Sequence, residues 1–140
     1  MAQQFMVACE GLCHRMVPMM TLGQLRDALA LANPIAGVRY DQFGLTPTRI
    51  NSYRGYYDRP ALGWTGEIYD MQVGMLLAEV DRVLTGMMFY GWKGGEYTYT
   101  RDSPVHVDNP GYATSTALFS VRDMGYVVLL RTSNCTLDTP

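Results

Sequence analysis

The chain is nearly without lysine. Of its eleven basic residues only Lys93 is a lysine, so the other ten are arginine. A GC-rich coding sequence produces that bias, and so does a need for planar, bidentate contacts, which arginine makes and lysine does not. Excess positive charge is missing as well. A net charge of −2 excludes bulk binding of DNA or RNA, which requires a strongly basic face. No apolar run approaches the roughly 20 residues of a membrane-spanning helix, so no membrane partner is read. Cysteine is scarce: Cys9, Cys13 and Cys135 are an odd number and build no closed disulfide framework. With no leader segment in view, this reads as a protein of a reducing cytoplasm. "CEGLCH" (9–14) is half of a zinc-ligand pattern. A structural zinc takes four ligands and only His106 and Cys135 remain to supply two, so neither a metal nor any other cofactor is read.

Catalytic signatures are absent too. There is no G-x-S-x-G nucleophile elbow and no GxxxxGK[ST] phosphate loop. "YRG" (53–55) followed by "ATSTA" (113–117) is comparable with the Arg and Ser-Thr-Ser signatures of ADP-ribosyltransferases. Those enzymes also need a late Glu-x-Glu, and here only Asp123 and Asp138 follow. The weak catalytic alternative is His106 with Asp108. The two lie two positions apart on a strand pattern, hence on one face, where they could orient a water.

What is present describes one globular domain. A chain of 140 residues with 48% hydrophobic and 17% charged content buries enough surface to fold without staples. Thr21 and Gln24 form a capping-box pattern, and Leu22, Leu25, Leu29 and Ala32 make one apolar helical stripe ended by "NPIAG". A second helix is expected from Asp70 as its cap, with Val73, Leu76, Leu77, Val80, Val83 and Leu84 at helical spacing, Glu79, Asp81 and Arg82 on a solvated face, and Gly86 as its stop. Strands are read at 37–41, at 48–57 with 61–66 as hairpin partner, and in most of the chain from Met87 on. These include "EYTYT" (96–100), "SPVHVD" (103–108), "YATSTALFSV" (112–121) and "YVVLLRT" (126–132). The expected fold is α+β, a mostly antiparallel β-sheet with two α-helices packed on one face. Residues 1–19 are expected as an N-terminal extension, with Met20 the natural start, or as an edge strand "QFMVAC". The single domain spans 20–132, and 133–140 is a tail expected to fray.

Two stretches carry the candidate site, "YRGYYDRPALGW" (53–64) and "YGWKGGEYTYTRDSP" (90–104). Each joins aromatics, arginine and glycine. Aromatic faces stack bases, an arginine fork grips phosphate, and glycines at positive φ aim consecutive N–H groups at an anion. The ligand-binding residues read from these are Tyr53, Arg54, Tyr56, Trp64, Trp92, Lys93, Gly94, Gly95 and Arg101, with Thr98 or Thr100 in reach. The same residues also serve plain structure, since aromatics are common in strands and Gly-Gly is an ordinary hairpin turn.

"MTLGQLRDAL" (20–29), "INSYRGYYDRPALGW" (50–64) and "GWKGGEYTYTRDSPVHVDNPG" (91–111) together resemble a family of small accessory proteins encoded by tailed bacteriophages. The resemblance runs in order from about Met20 to Thr132. His106 stands where family members tend to carry an aromatic. The resemblance transfers no residue roles. It implies a viral protein in the host cytoplasm, where such accessory proteins often evade host defence. The expected partner is then a nucleotide-like small molecule, a second messenger such as a cyclic ADP-ribose isomer or cyclic oligonucleotide, which the protein would bind as a sponge. The alternatives are an anti-CRISPR-like inhibitor that binds a host defence protein, and a small phosphodiesterase or hydrolase. A homo-oligomer, paired through the "QFMVAC" edge, is a further expectation.

Overall fold

The computed structural model describes residues 6–9, 16–41, 45–52, 60–66, 70–90, 95–108 and 115–137. Its elements in order are β1 (Met6–Cys9), β2 (Met16–Pro18), α1 (Leu22–Leu31), β3 (Gly37–Tyr40), β4 (Thr46–Ser52), β5 (Pro60–Thr65), α2 (Val73–Leu84), β6 (Phe89–Tyr90), β7 (Glu96–Tyr97), β8 (His106–Val107), β9 (Ser115–Asp123) and β10 (Val127–Leu137). The fold is α+β. Among the described residues eight strands form one sheet and β6 with β7 forms a small second one.

The sheet is mixed. β3 runs parallel to β10 and β5 runs parallel to β8, while the other pairs are antiparallel. β10 organises it. One side pairs with β9 along most of its length; the other pairs first with β3 and then, at Cys135–Leu137, with β1. The segment expected to fray therefore continues as strand to Leu137, because β1 supplies hydrogen-bond partners there. At the register shift between Arg131 and Thr132, Asp41 takes over the ladder. Its Oδ1 accepts from Thr132 N at 3.0 Å and from Thr132 Oγ1 at 3.1 Å.

Both helices feed one core. Leu22, Leu25, Leu29 and Ala32 of the α1 stripe, and Val73, Leu76, Val80 and Val83 of α2, pack with Val38, Tyr40, Ile50, Leu62, Val107, Leu118, Val128 and Leu130 of the sheet. The capping box forms as read: Gln24 N donates to Thr21 Oγ1 and Thr21 N to Gln24 Oε1. The start of α2 does not. Its N-cap is Gln72, without a side-chain cap bond, and Asp70 is instead exposed and faces Arg39. Gly86, at φ +91°, follows the helix as expected.

The sheet curls around these helices. The Tyr40 hydroxyl on β3 donates across the interior to the Gly63 carbonyl on β5 at 2.7 Å. α2 then closes the exposed edge of β4. Glu79 Oε2 accepts from Ile50 N at 2.9 Å, and Arg82 holds the same carboxylate through two bonds of 2.7 Å. Glu79 was expected on the solvated face, yet its side chain is only 12% exposed. Burial alone would raise its pKa, but the bonds from Arg82 and Ile50 N and the charges of Arg82 and Arg49 outweigh that and lower it. An edge amide left unpaired under a helix would be costly, which accounts for the carboxylate being there. No helix among the described residues is long and apolar enough to cross a membrane.

Candidate functional site

Of the nine residues read as ligand-binding, Tyr53, Arg54, Tyr56, Trp92, Lys93 and Gly94 lie outside the described residues. The other three are placed apart from one another by role. Trp64 spends its indole N–H on the Asp108 carbonyl at 3.0 Å and packs half-buried against the core. Gly95 is not at positive φ, which among the described glycines belongs to Gly86 and Gly125. It is small because the Tyr97 ring folds over it, and a methyl group there would overlap that ring. Its partner in the expected nest, Gly94, lies outside the described residues. Arg101 lines a groove bounded by described residues.

That groove, about 510 Å³, is bounded by Arg26 of α1, Asp81 and Leu84 of α2, Gly86, and the run Thr98, Tyr99, Thr100 and Arg101. "EYTYT" was read as one strand, but regular pairing ends at Tyr97. Tyr99 turns inward to pack its ring, tilted by 41°, at 5.0 Å on Phe89, and Ser103 closes a turn by accepting from Thr100 N and donating its own N–H to Thr100 O. This bend turns Thr98, Thr100 and Arg101 into the groove wall. The segment is pinned to α1 by Gly23 N, which donates to Arg101 O at 2.9 Å. Gly23 must lack a side chain because a Cβ would sit 2.9 Å from Arg101 Cβ.

The electrostatics centre on one carboxylate. Asp27 Oδ2 lies 2.6 Å from Arg101 Nη2, and its Oδ1 lies 3.7 Å from Arg26 Nη1. Asp27 thus places one oxygen against each of two guanidiniums, the arrangement a phosphate would take. Arg26 Nε is held in turn by Asp81 Oδ1 at 3.1 Å. All four side chains are substantially exposed, where such pairs contribute about 0–1 kcal/mol. Arg26 and Asp27 carry no role in the sequence reading, and Asp81 appears there only on the solvated face of α2. The available signal was weak: helical residues of mixed charge, as on any solvated face.

The His106–Asp108 pair is split by burial. His106 is 1% exposed. It sits in register between Ala61 and Ala117, whose small buried side chains leave room for the imidazole. A group sealed in this way cannot present a base to solvent. Asp108 is half-buried, anchored through its backbone to Leu62 O and Trp64 Nε1. Its carboxyl stands over Gly63, where a methyl group would overlap Thr48 Oγ1 and lie 3.5 Å from Asp108 Oδ2. Desolvation pushes the Asp108 carboxyl from 3.8 up to about 6. Burial, then the Asp108 charge, raises the Tyr40 hydroxyl well above its ordinary value, so Tyr40 remains a protonated donor. Among the described residues no three His, Cys, Asp or Glu side chains are grouped to hold a metal ion. Cys13 and His14 lie outside those residues.

No protein-family model, curated protein or solved structure matches the chain. The chemistry of the groove therefore carries the functional argument.

Proposed function

We propose that the groove between α1, α2 and the 98–101 segment binds a small phosphate-bearing ligand of nucleotide type, and that the chain acts by holding it. The observation that carries this is the Arg26–Asp27–Arg101 bridge: two guanidiniums already spaced around an anion, beside the threonines at 98 and 100. The groove volume falls within the roughly 300–1,000 Å³ of small-molecule sites. Leu84 offers an apolar strip for a base or ribose. Binding without conversion is useful in sequestration. With the resemblance to phage accessory proteins, this supports an anti-defence role in which a nucleotide second messenger is withdrawn from host signalling. Asp108 favours a second reading, a hydrolase, because a half-buried carboxyl with a pKa of about 6 suits proton transfer near neutrality.

The test is a thermal-shift panel of mononucleotides, cyclic ADP-ribose isomers and cyclic oligonucleotides, with each ligand recovered afterwards and checked by chromatography. A ligand at about 100 times its Kd adds roughly 2.7 kcal/mol of stability. Arg101→Ala is expected to weaken binding about tenfold by removing a charge-assisted contact. A shift with intact ligand supports sequestration, and cleaved ligand supports the hydrolase. Full affinity in Arg101→Ala removes the groove as the site.

A further inference from the structure

Away from the groove, three segments meet at one end of the fold: 31–37 at the end of α1, 71–75 at the start of α2, and 124–127 at the turn between β9 and β10. Backbone bonds tie them together. Gly74 N donates to Pro34 O and Val73 N to Ala36 O, both at 2.9 Å, and Gly37 N donates to Tyr126 O at 3.2 Å. Their sequences, LANPIAG, MQVGM and MGYV, contain no charged residue in a chain that is 17% charged. Met71 and Val73 turn into the core, but five large apolar side chains at this end face outward. Leu31 is 88% exposed, Tyr126 81% and Ile35 71%, with Met75 and Met124 also exposed. Single exposed apolar residues are ordinary, but a charge-free cluster of five is the mark of an interaction surface.

The rim says what fits there. Arg39 and Arg122 flank Leu129 in register across β3, β10 and β9. Asp70 faces Arg39 at 3.8 Å, and Asp123 closes the turn by accepting from Gly125 N at 2.8 Å. Two positive and two negative groups therefore surround a neutral centre.

We infer that this end is a self-association surface that takes a second copy of the chain about a two-fold axis. A two-fold contact places a patch against itself, so a patch of one charge would repel its copy. This patch carries no charge, and its rim allows Arg of one copy to meet Asp of the other. Apolar patches on monomers reach about 300–600 Å², so two of them face to face bury about 600–1,200 Å², the size of a weak, concentration-dependent interface. The site replaces the edge expected from "QFMVAC", because β1 is paired on both sides, by β2 and by β10, and offers no open ladder. It does not depend on the groove, since neither Arg26 nor Arg101 belongs to the three segments.

The test is sedimentation velocity of the full chain over a concentration series to about 100 µM, the range in which an interface of this size assembles. The wild type is expected to form dimers. Leu31→Lys and Tyr126→Lys, both at side chains that contribute little to the core, are expected to raise the dimer Kd at least tenfold while circular dichroism, and the Tm measured at concentrations where the wild type is monomeric, stay unchanged. A wild type that is monomeric throughout overturns the inference, and so does a dimer that persists in both variants or a monomer that instead co-floats with lipid vesicles.

Discussion

Replacing Asp108 by Asn isolates the energetic effect of burying a carboxyl without a compensating cation among the described residues. The Asp108 carboxyl titrates at about 6 rather than 3.8, so the folded state holds its proton more tightly than the unfolded chain. Between those two values the folded state binds more protons, and stability falls as pH rises. The penalty is absent below about pH 4 and complete above about pH 6. Two decades of pH correspond to just under ~3 kcal/mol. Because the side chain is only half-buried, solvent screens part of this, and about 1–1.5 kcal/mol is the expected size. Asn keeps the shape and leaves both backbone anchors, to Leu62 O and Trp64 Nε1, in place. Asp108→Asn should therefore match the wild type near pH 4 and exceed it by roughly 3–5 °C in Tm at pH 7.5. The assay is thermal unfolding of both proteins by circular dichroism at half-unit pH steps. Tm profiles that run parallel from pH 4 to 7.5 would refute the reasoning, because Asp108 would then titrate alike in both states.

Two further outcomes follow from the same geometry. Asp27→Asn frees the guanidiniums of Arg26 and Arg101 from their internal carboxylate, so phosphate-bearing ligands should bind about three- to tenfold more tightly in calorimetric titration, with stability changed by less than about 1 kcal/mol; unchanged affinity would mean the anion does not sit between those arginines. Glu79→Gln should lower stability by about 1–2 kcal/mol at pH 7 in urea titration, because Arg82 loses its charged partner and the Ile50 amide a charged acceptor. Since the Glu79 pKa is lowered by folding, its contribution is lost as pH falls through the folded value, and the two proteins should converge in acid; a gap that stays constant with pH would show that charge is not the cause.

The elements with local causes were legible in the sequence. The α1 stripe and its Thr21–Gln24 box depend on residues within one or two turns, and the structure holds both. The strands β9 and β10 were legible because alternation and a glycine turn are local as well, with Gly125 at φ +92° between them. The misplaced start of α2 has a non-local reason. Val38 N donates to Met71 O and Val73 N to Ala36 O, so the chain before α2 is held extended by β3 and its approach, and Asp70 never reaches a capping position. Glu79 was misread likewise, since no spacing within α2 reveals that an edge amide of β4 awaits it.

The sequence by itself determined the two helices and most of the strands, which helix faces are apolar, and that arginine, threonine and aromatics are concentrated near residue 100. Only the tertiary structure decided which of them meet. Asp27 and Arg101 are 74 residues apart and Arg26 and Asp81 are 55 apart, and they converge because α1 and α2 pack side by side in the curl of the sheet. The same folding sealed His106 and left Asp108 half in solvent, though the two are neighbours on one strand pattern. Burial and long-range contact are properties of the packed whole, and local propensity carries no record of them.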